Sequence, residues 1–188
     1  MIDMSMKEAF DNYFYKLNRY LNGKQPITVY DKECDIRDGI YIPNTLDECG
    51  YVQWHPVLQT QLIDYSKLES ELGFVIHKSI KEFHSIYWFD RIECLLNGGQ
   101  NMWIDGVIPY NGISPEAVLK KVRNGFNNCM ADFLIDTIFY EIGGVDSNGI
   151  YVDNTTGKVI IANIYEEVKI ELANSIESLL NIFAGENE

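Results

Sequence analysis

Two strand-like runs joined by a very short turn can only pair with each other antiparallel, and this chain contains two such units. Between about Ile92 and Ile104 the runs flank Asn97-Gly98-Gly99-Gln100, where Asn and Gly tolerate the positive φ angles of a hairpin turn. Further on, Ile150-Tyr151-Val152 and Val159-Ile160-Ile161 are joined by Asp153-Asn154-Thr155-Thr156-Gly157-Lys158, a hairpin with a longer loop. A parallel crossover takes about a dozen residues or more, so neither turn can make one. Strands that neighbour one another in sequence in this way favour an α+β fold with a mainly antiparallel sheet over a doubly wound α/β fold.

The remaining segments supply helices to flank that sheet. Ser5-Met6-Lys7-Glu8 has the form of a capping box, and Phe10, Phe14, Leu17 and Leu21 follow at helical spacing before Gly23. Ser66-Lys67-Leu68-Glu69 and Ser79-Ile80-Lys81-Glu82 repeat the capping pattern, the second with Ile80, Phe83 and Tyr87 as its apolar stripe. Ser114-Pro115-Glu116 opens a further helix with Leu119, Val122 and Phe126 on its buried side. Asn174, with Glu177 three residues on, caps a last helix bearing Ile176, Leu179, Leu180 and Phe183. Tyr51 to Val57 reads as a strand ending near His55, and Phe133 to Ile142 as β-rich. With 188 residues, 46% of them hydrophobic, the chain is expected to form one domain over its whole length, 1–188.

Charge excludes some functions. Fifteen Lys and Arg face 28 Asp and Glu, a formal net charge of −13. Phosphate backbones are bound by Lys and Arg that displace counterions, so a nucleic-acid partner is not expected. No apolar run reaches the roughly 20 residues that span a bilayer, and the amino-terminal residues lack the basic and apolar regions of a signal peptide. A cytoplasmic location is the expectation. Cys34, Cys49, Cys94 and Cys129 lie far apart with no CxxC pair, which fits reduced thiols better than a metal or redox centre.

Motifs for catalysis fail individually. Thr156-Gly157-Lys158 looks like the end of a P-loop, but Val152 stands where the first Gly belongs and Val159 where Ser or Thr belongs. Asp146-Ser147-Asn148-Gly149 falls short of a calcium loop, with Gly144 and Thr155 at the two positions that need carboxylates. There is no G-x-S-x-G and no H-E-x-x-H. His77 is expected to precede a helix and His84 to lie on its partly exposed flank; a hydrolase using both with nearby carboxylates is the least favoured reading. No catalytic residue, cofactor or metal is assigned.

Acidic residues are unevenly placed. From 124 to 188 eleven carboxylates face only Lys158 and Lys169, and 31–50 forms a second acidic stretch. Either is a solvated face or a surface complementary to a basic partner, which would speed encounter and weaken with salt. The residues singled out for partner binding are Asp35, Asp38, Asp47, Glu48, Glu166 and Glu167, with Trp88 and Trp103 as anchors, because Trp is enriched at binding hot spots.

Four segments carry a resemblance to a known family. They are Tyr51-Val52-Gln53-Trp54-His55-Pro56-Val57; Ile76-His77-Lys78-Ser79-Ile80-Lys81-Glu82-Phe83-His84; Asn154-Thr155-Thr156-Gly157-Lys158-Val159; and the closing helix from Ala173 to Phe183. In order and spacing the chain resembles the Syd family of SecY-interacting proteins, within the wider SUKH superfamily of immunity proteins. The resemblance implies an α+β domain that acts by binding, without catalysis. Syd-type members are similar to peripheral proteins that dock on basic cytoplasmic loops of the SecY channel; other superfamily members look like antidotes that block a toxin domain. Asp105 to Tyr110 lacks the glutamine-aliphatic-tryptophan element associated with Syd, and Gly143 to Gly149 departs from the family's apolar run. The leading expectation is therefore an immunity protein neutralising a basic toxin domain that acts on nucleic acid. Docking on SecY, with at most peripheral membrane association through a protein, is the alternative.

Overall fold

The computed structural model describes residues 4–30, 39–95, 101–108, 114–127, 137–146, 148–163 and 168–186. Its centre is a six-stranded antiparallel sheet in the order β10-β9-β8-β7-β6-β5, so every neighbour in space is also a neighbour in sequence. The strands are β5 Ile92–Leu95, β6 Asn101–Ile104, β7 Phe139–Val145, β8 Asn148–Asp153, β9 Val159–Asn163 and β10 Val168–Ala173. Two two-stranded sheets lie beside it: β1 Ile27–Val29 with β2 Tyr51–Gln53, and β3 Val57–Leu58 with β4 Tyr87–Trp88. The helices are α1 Met6–Tyr20, α2 Ser66–Leu72, α3 Lys78–Ile86, α4 Pro115–Asn127 and α5 Ile176–Glu186. The expected α+β class and antiparallel sheet are thus observed.

Both expected strand pairs form antiparallel, with Cys94 opposite Met102 and Tyr151 opposite Ile160, while the turn expected at Asn97 to Gln100 lies outside the described residues. The sheet side chains alternate as the pleat requires. Met102, Ile104, Ile150, Val152 and Val159 enter the main core, while Phe139, Tyr151, Ile160 and Ala162 form a small separate cluster. Helices α1 and α5 pack together against the main core, with Tyr13 edge-on to Phe183 and the Asn12 amide donating to Asn181. At the heart of this layer Phe10 touches the rings of Phe14, Phe83, Tyr87 and Phe89.

Local start signals succeed in two cases and shift in three; Ser114 caps α4 as expected, its hydroxyl accepting from the Ala117 amide. Ser5 and Glu8 make the full reciprocal capping box. Ser66 does not cap α2: Tyr65 stands at that position without a side-chain bond, and Glu69 turns away to accept from the Ile76 amide and to pair with Lys81. The cap of helix α3 lies two residues earlier than expected, at His77 instead of Ser79, and the His77 Nδ1 accepts from the Ser79 amide. For α5 the hydroxyl of Ser175, not Asn174, accepts from Ser178. Two strands, β1 and β10, had no clear sequence signal, and two more, β7 and β8, extend beyond theirs. β1 is only three residues long, β10 follows the acidic stretch at 166–167, and β7 and β8 run on through Gly143, Gly144 and Gly149 around a turn at Asp146.

Candidate binding groove

The C-terminal half of α1 and the β1–β2 ribbon stand apart from the start of β5, leaving a groove of about 900 Å³. Tyr13, Leu17 and Leu21 line it from α1; Ile27, Thr28 and Val29 from β1; Tyr41, Tyr51 and Trp54 from the ribbon's far side. Asp90 to Glu93, Asp105, Gly106, Ile108 and Lys121 of α4 complete the wall. The ribbon holds its place because Val52 and Trp54 are buried, Trp54 edge-on to Phe14. The alternate residues Ile27, Val29 and Tyr51 are consequently turned outward.

The groove's charged groups are the carboxylates of Asp90, Glu93 and Asp105 and the cations of Arg91 and Lys121; Glu141 lies outside its lining. Asp90 is nearly sealed, accepting hydrogen bonds from the Tyr41 hydroxyl at 3.2 Å, from the Arg91 amide at 2.6 Å and from Thr28. Burial pushes its carboxyl pKa up, and those donors oppose the rise. Asp105 faces the Arg91 guanidinium at 3.5 Å, and the same guanidinium lies 5.6 Å from the centre of the Trp103 ring. Glu93 is exposed on β5. Glu141 of β7 is half-buried; burial first, then the charge of Asp105, raise its pKa, while Lys121 lowers it.

The residues expected from sequence fall in several places. Asp35, Asp38, Glu166 and Glu167 lie outside the described residues. Asp47 and Glu48 are exposed; the Asp47 carboxylate accepts from the amides of Cys49 and Tyr51, so it shapes the turn that leads into the groove-lining Tyr51. Trp103 is half-buried beside Arg91, within reach of the groove's acidic wall. Trp88 is a correction: at 3% exposure it is a core residue, paired with Val57 across β3–β4 and facing a small cavity of about 250 Å³. Among the described acids of the last third, two are engaged locally. Asp153 binds the amides of Thr155 and Thr156 within its own hairpin loop, and Glu171 pairs with Lys158. Asp90, Glu93, Asp105 and Glu141 were not singled out. The one available signal was Asp90, a charge set directly after the apolar pair Trp88-Phe89.

The histidines are placed for structure. His84 is fully buried, correcting the partly exposed flank expected of it; its Nε2 lies 2.6 Å from the Tyr140 hydroxyl and its Nδ1 has no hydrogen-bond partner. No carboxylate touches it among the described residues. His77 caps α3 and packs against Gly157, where a Cβ would fall 2.3 Å from its ring. Asn154 joins these two regions: its Oδ1 accepts from the His77 amide at 2.8 Å and its Nδ2 donates to the Val75 carbonyl at 2.9 Å. Two of the resemblance-bearing segments are thus one structural contact. Asn154→Ala should cost about 1–2 kcal/mol in urea unfolding, because it leaves the part-buried His77 amide and the Val75 carbonyl without their shared partner. A loss below about 0.5 kcal/mol would show that water replaces the clip.

Among the described residues no group of three or more His, Cys, Asp or Glu side chains is placed to hold a metal ion, and no helix is long and apolar enough to cross a membrane. Cys49 is a free, exposed thiol. What the groove offers is a recessed surface rimmed with apolar and aromatic side chains and walled by three carboxylates and two cations, one of which is paired within the wall.

No protein-family model matches the chain. A curated relative does: Protein Syd of Pseudoalteromonas atlantica is 19% identical over 178 residues, an alignment that covers 94% of each chain.

Proposed function

We propose that the chain is a Syd-like binding protein that docks, through the groove between α1, β1 and β5, on basic cytoplasmic loops of the SecY translocon. The observation that carries this reading is the similarity to Protein Syd along 94% of both chains, too extensive to come from a shared fragment. It shifts the balance from the antidote reading to the docking one. The groove supplies a plausible chemistry, since Asp90, Glu93 and Asp105 line it against Arg91 and Lys121 and the whole chain carries −13. Such a protein associates with the membrane only through its protein partner and contributes binding, not catalysis.

Attraction between exposed charges reaches about 8–10 Å at physiological salt. The wild-type chain should therefore co-sediment with SecY-containing membranes at low ionic strength and be released as salt rises. Replacing Glu93 and Asp105 together by Lys should weaken that association about tenfold or more, since both lie on the groove wall and like charges then oppose. Both side chains reach solvent, so the fold should survive with a change of less than about 1 kcal/mol. Retention on SecY membranes equal to wild type would remove the groove from the docking role. A chain that ignores these membranes but binds a basic toxin domain would restore the antidote reading.

A further inference from the structure

We propose that β1 is a docking edge: an extended, basic polypeptide segment lies in the groove and adds to β1 as a further strand. This inference rests on the docking role and specifies how the partner is held. The backbone carries it. The Trp54 amide donates to the Pro26 carbonyl and the Tyr30 amide to the Gly50 carbonyl, so the ladder pairs 26 with 54, 28 with 52 and 30 with 50. On β2 the alternate carbonyls turn the other way, that of Gln53 accepting from Ile42 and that of Tyr51 from Asp47. Antiparallel ladders alternate strictly, so the N–H and C=O groups of Ile27 and Val29 point away from β2. β1 is the end strand of its sheet, and Ile27, Thr28 and Val29 line the groove.

Among the described residues that edge has none of the usual defences except Pro26 at its start: it carries no Lys, no bulge and no covering helix, and its outward side chains, Ile27 and Val29, are apolar. Ile27 is 62% and Val29 65% exposed, high for β-branched residues in a paired strand. With Tyr51 opposite Val29 they form one apolar face, which the alternate side chains of an added strand would extend and cover. Across the groove stands β5, itself the end strand of the six-stranded sheet. The Asn101 carbonyl and the Asp105 amide face away from β5, toward the β7 side, so Met102 and Ile104 bond to β5 and Glu93 turns its backbone outward. Charge selects the occupant. Arg91 and Asp105 engage each other, which leaves Asp90 and Glu93 against the single Lys121 on the groove wall and favours Lys or Arg on the incoming segment.

The test uses a peptide of alternating valine and lysine, long enough to cover β1, with the full chain. Binding should weaken with salt, and hydrogen exchange at the Ile27 and Val29 amides should slow about tenfold or more on saturation, while the already paired Thr28 amide changes little. N-methylating the peptide at the alternate residues that face β1 should cost about tenfold in affinity, and methylating the other set should cost far less. Val29→Pro removes an edge donor without touching the bonds at Thr28 and Tyr30, and should weaken the peptide to a similar extent. Bound peptide that leaves the Ile27 and Val29 amides unprotected overturns the proposal, as does no binding at low ionic strength. Full SecY association by Val29→Pro also overturns it while leaving the docking role intact. Strand addition by the peptide from a chain that ignores SecY supports the edge and removes the docking role instead.

Discussion

Between pH 7 and pH 4 the protein should lose several kcal/mol of stability, most of it through one imidazole. His84 is buried beneath Tyr140 and Phe83, and burial, helped by the charge of Lys121, pushes its pKa down from 6.5 to about 3. In the unfolded chain it titrates normally, so between those two values the unfolded state binds more protons than the folded one. Its contribution is complete above pH 6.5 and falls away as the pH drops toward 3, by roughly 2 kcal/mol at pH 5 and at most about 4–5 kcal/mol at pH 3. Asp90 and Glu141 work in the opposite sense, because their raised carboxyl pKa values make the folded state the better proton acceptor; they blunt the acid loss without cancelling it. Urea unfolding across this range measures the slope directly.

A variant isolates the cause. Tyr140 keeps its proton, since burial raises its pKa well above 10, and so donates to His84 Nε2. Replacing either partner alone leaves a buried polar atom without a bond, whereas His84→Phe with Tyr140→Phe removes the pair and the unpartnered Nδ1 together. The double variant should lie within about 1 kcal/mol of wild type at pH 7 and be clearly more stable than wild type at pH 4. A wild-type slope in the double variant would assign the acid sensitivity to other groups.

Gly143→Ala should destabilise by about 3 kcal/mol or more, lowering the melting temperature by roughly 6–12 °C. A Cβ there would stand 2.1 Å from the Trp103 carbonyl oxygen and 2.9 Å from the Ile104 Cα, both backbone atoms of the paired strand, so β6 itself would have to move. Gly144→Ala is the contrast. Its nearest neighbour, at 2.3 Å, is the edge of the Trp103 ring, a half-buried side chain that can swing outward, and the cost should be nearer about 1 kcal/mol. Equal effects in thermal unfolding would mean that the sheet yields at both positions alike. These glycines belong to a stretch that departs from the Syd pattern, and in this chain they let β6 and β7 approach while Trp103 lies flat beside Arg91.

Much of the fold was legible where both partners of an interaction lie within a few residues. Ser5 and Glu8 meet within one helical turn, and the 153–158 loop needs only its own Asp153 and a glycine at positive φ. The same capping pattern misled where a distant group competed. Glu69 is drawn to Lys81 and the Ile76 amide, and Ser79 is overtaken by His77, whose ring is held in place by Gly157 some eighty residues on. Trp88 read as a surface anchor because nothing local distinguishes a buried indole from an exposed one; Trp103, with Gly144 opposite it and Arg91 beside it, kept one face open. The groove was invisible for the same reason. Its wall joins α1, a three-residue strand, Tyr51, Asp90 and Lys121, and no periodicity connects them.

The amino-acid order by itself determined the antiparallel pairing and most of the helices, because turn chemistry, caps and hydrophobic spacing act over a few residues and are written in them. Tertiary packing alone decided that β1 would end a sheet with its backbone facing a cavity, that His84 would be sealed against Tyr140, and that Asp90 would be buried among donors. Those outcomes depend on which surfaces meet after the chain has closed over long distances, and burial, unlike helix or turn propensity, is a property of neighbours that the local sequence does not contain.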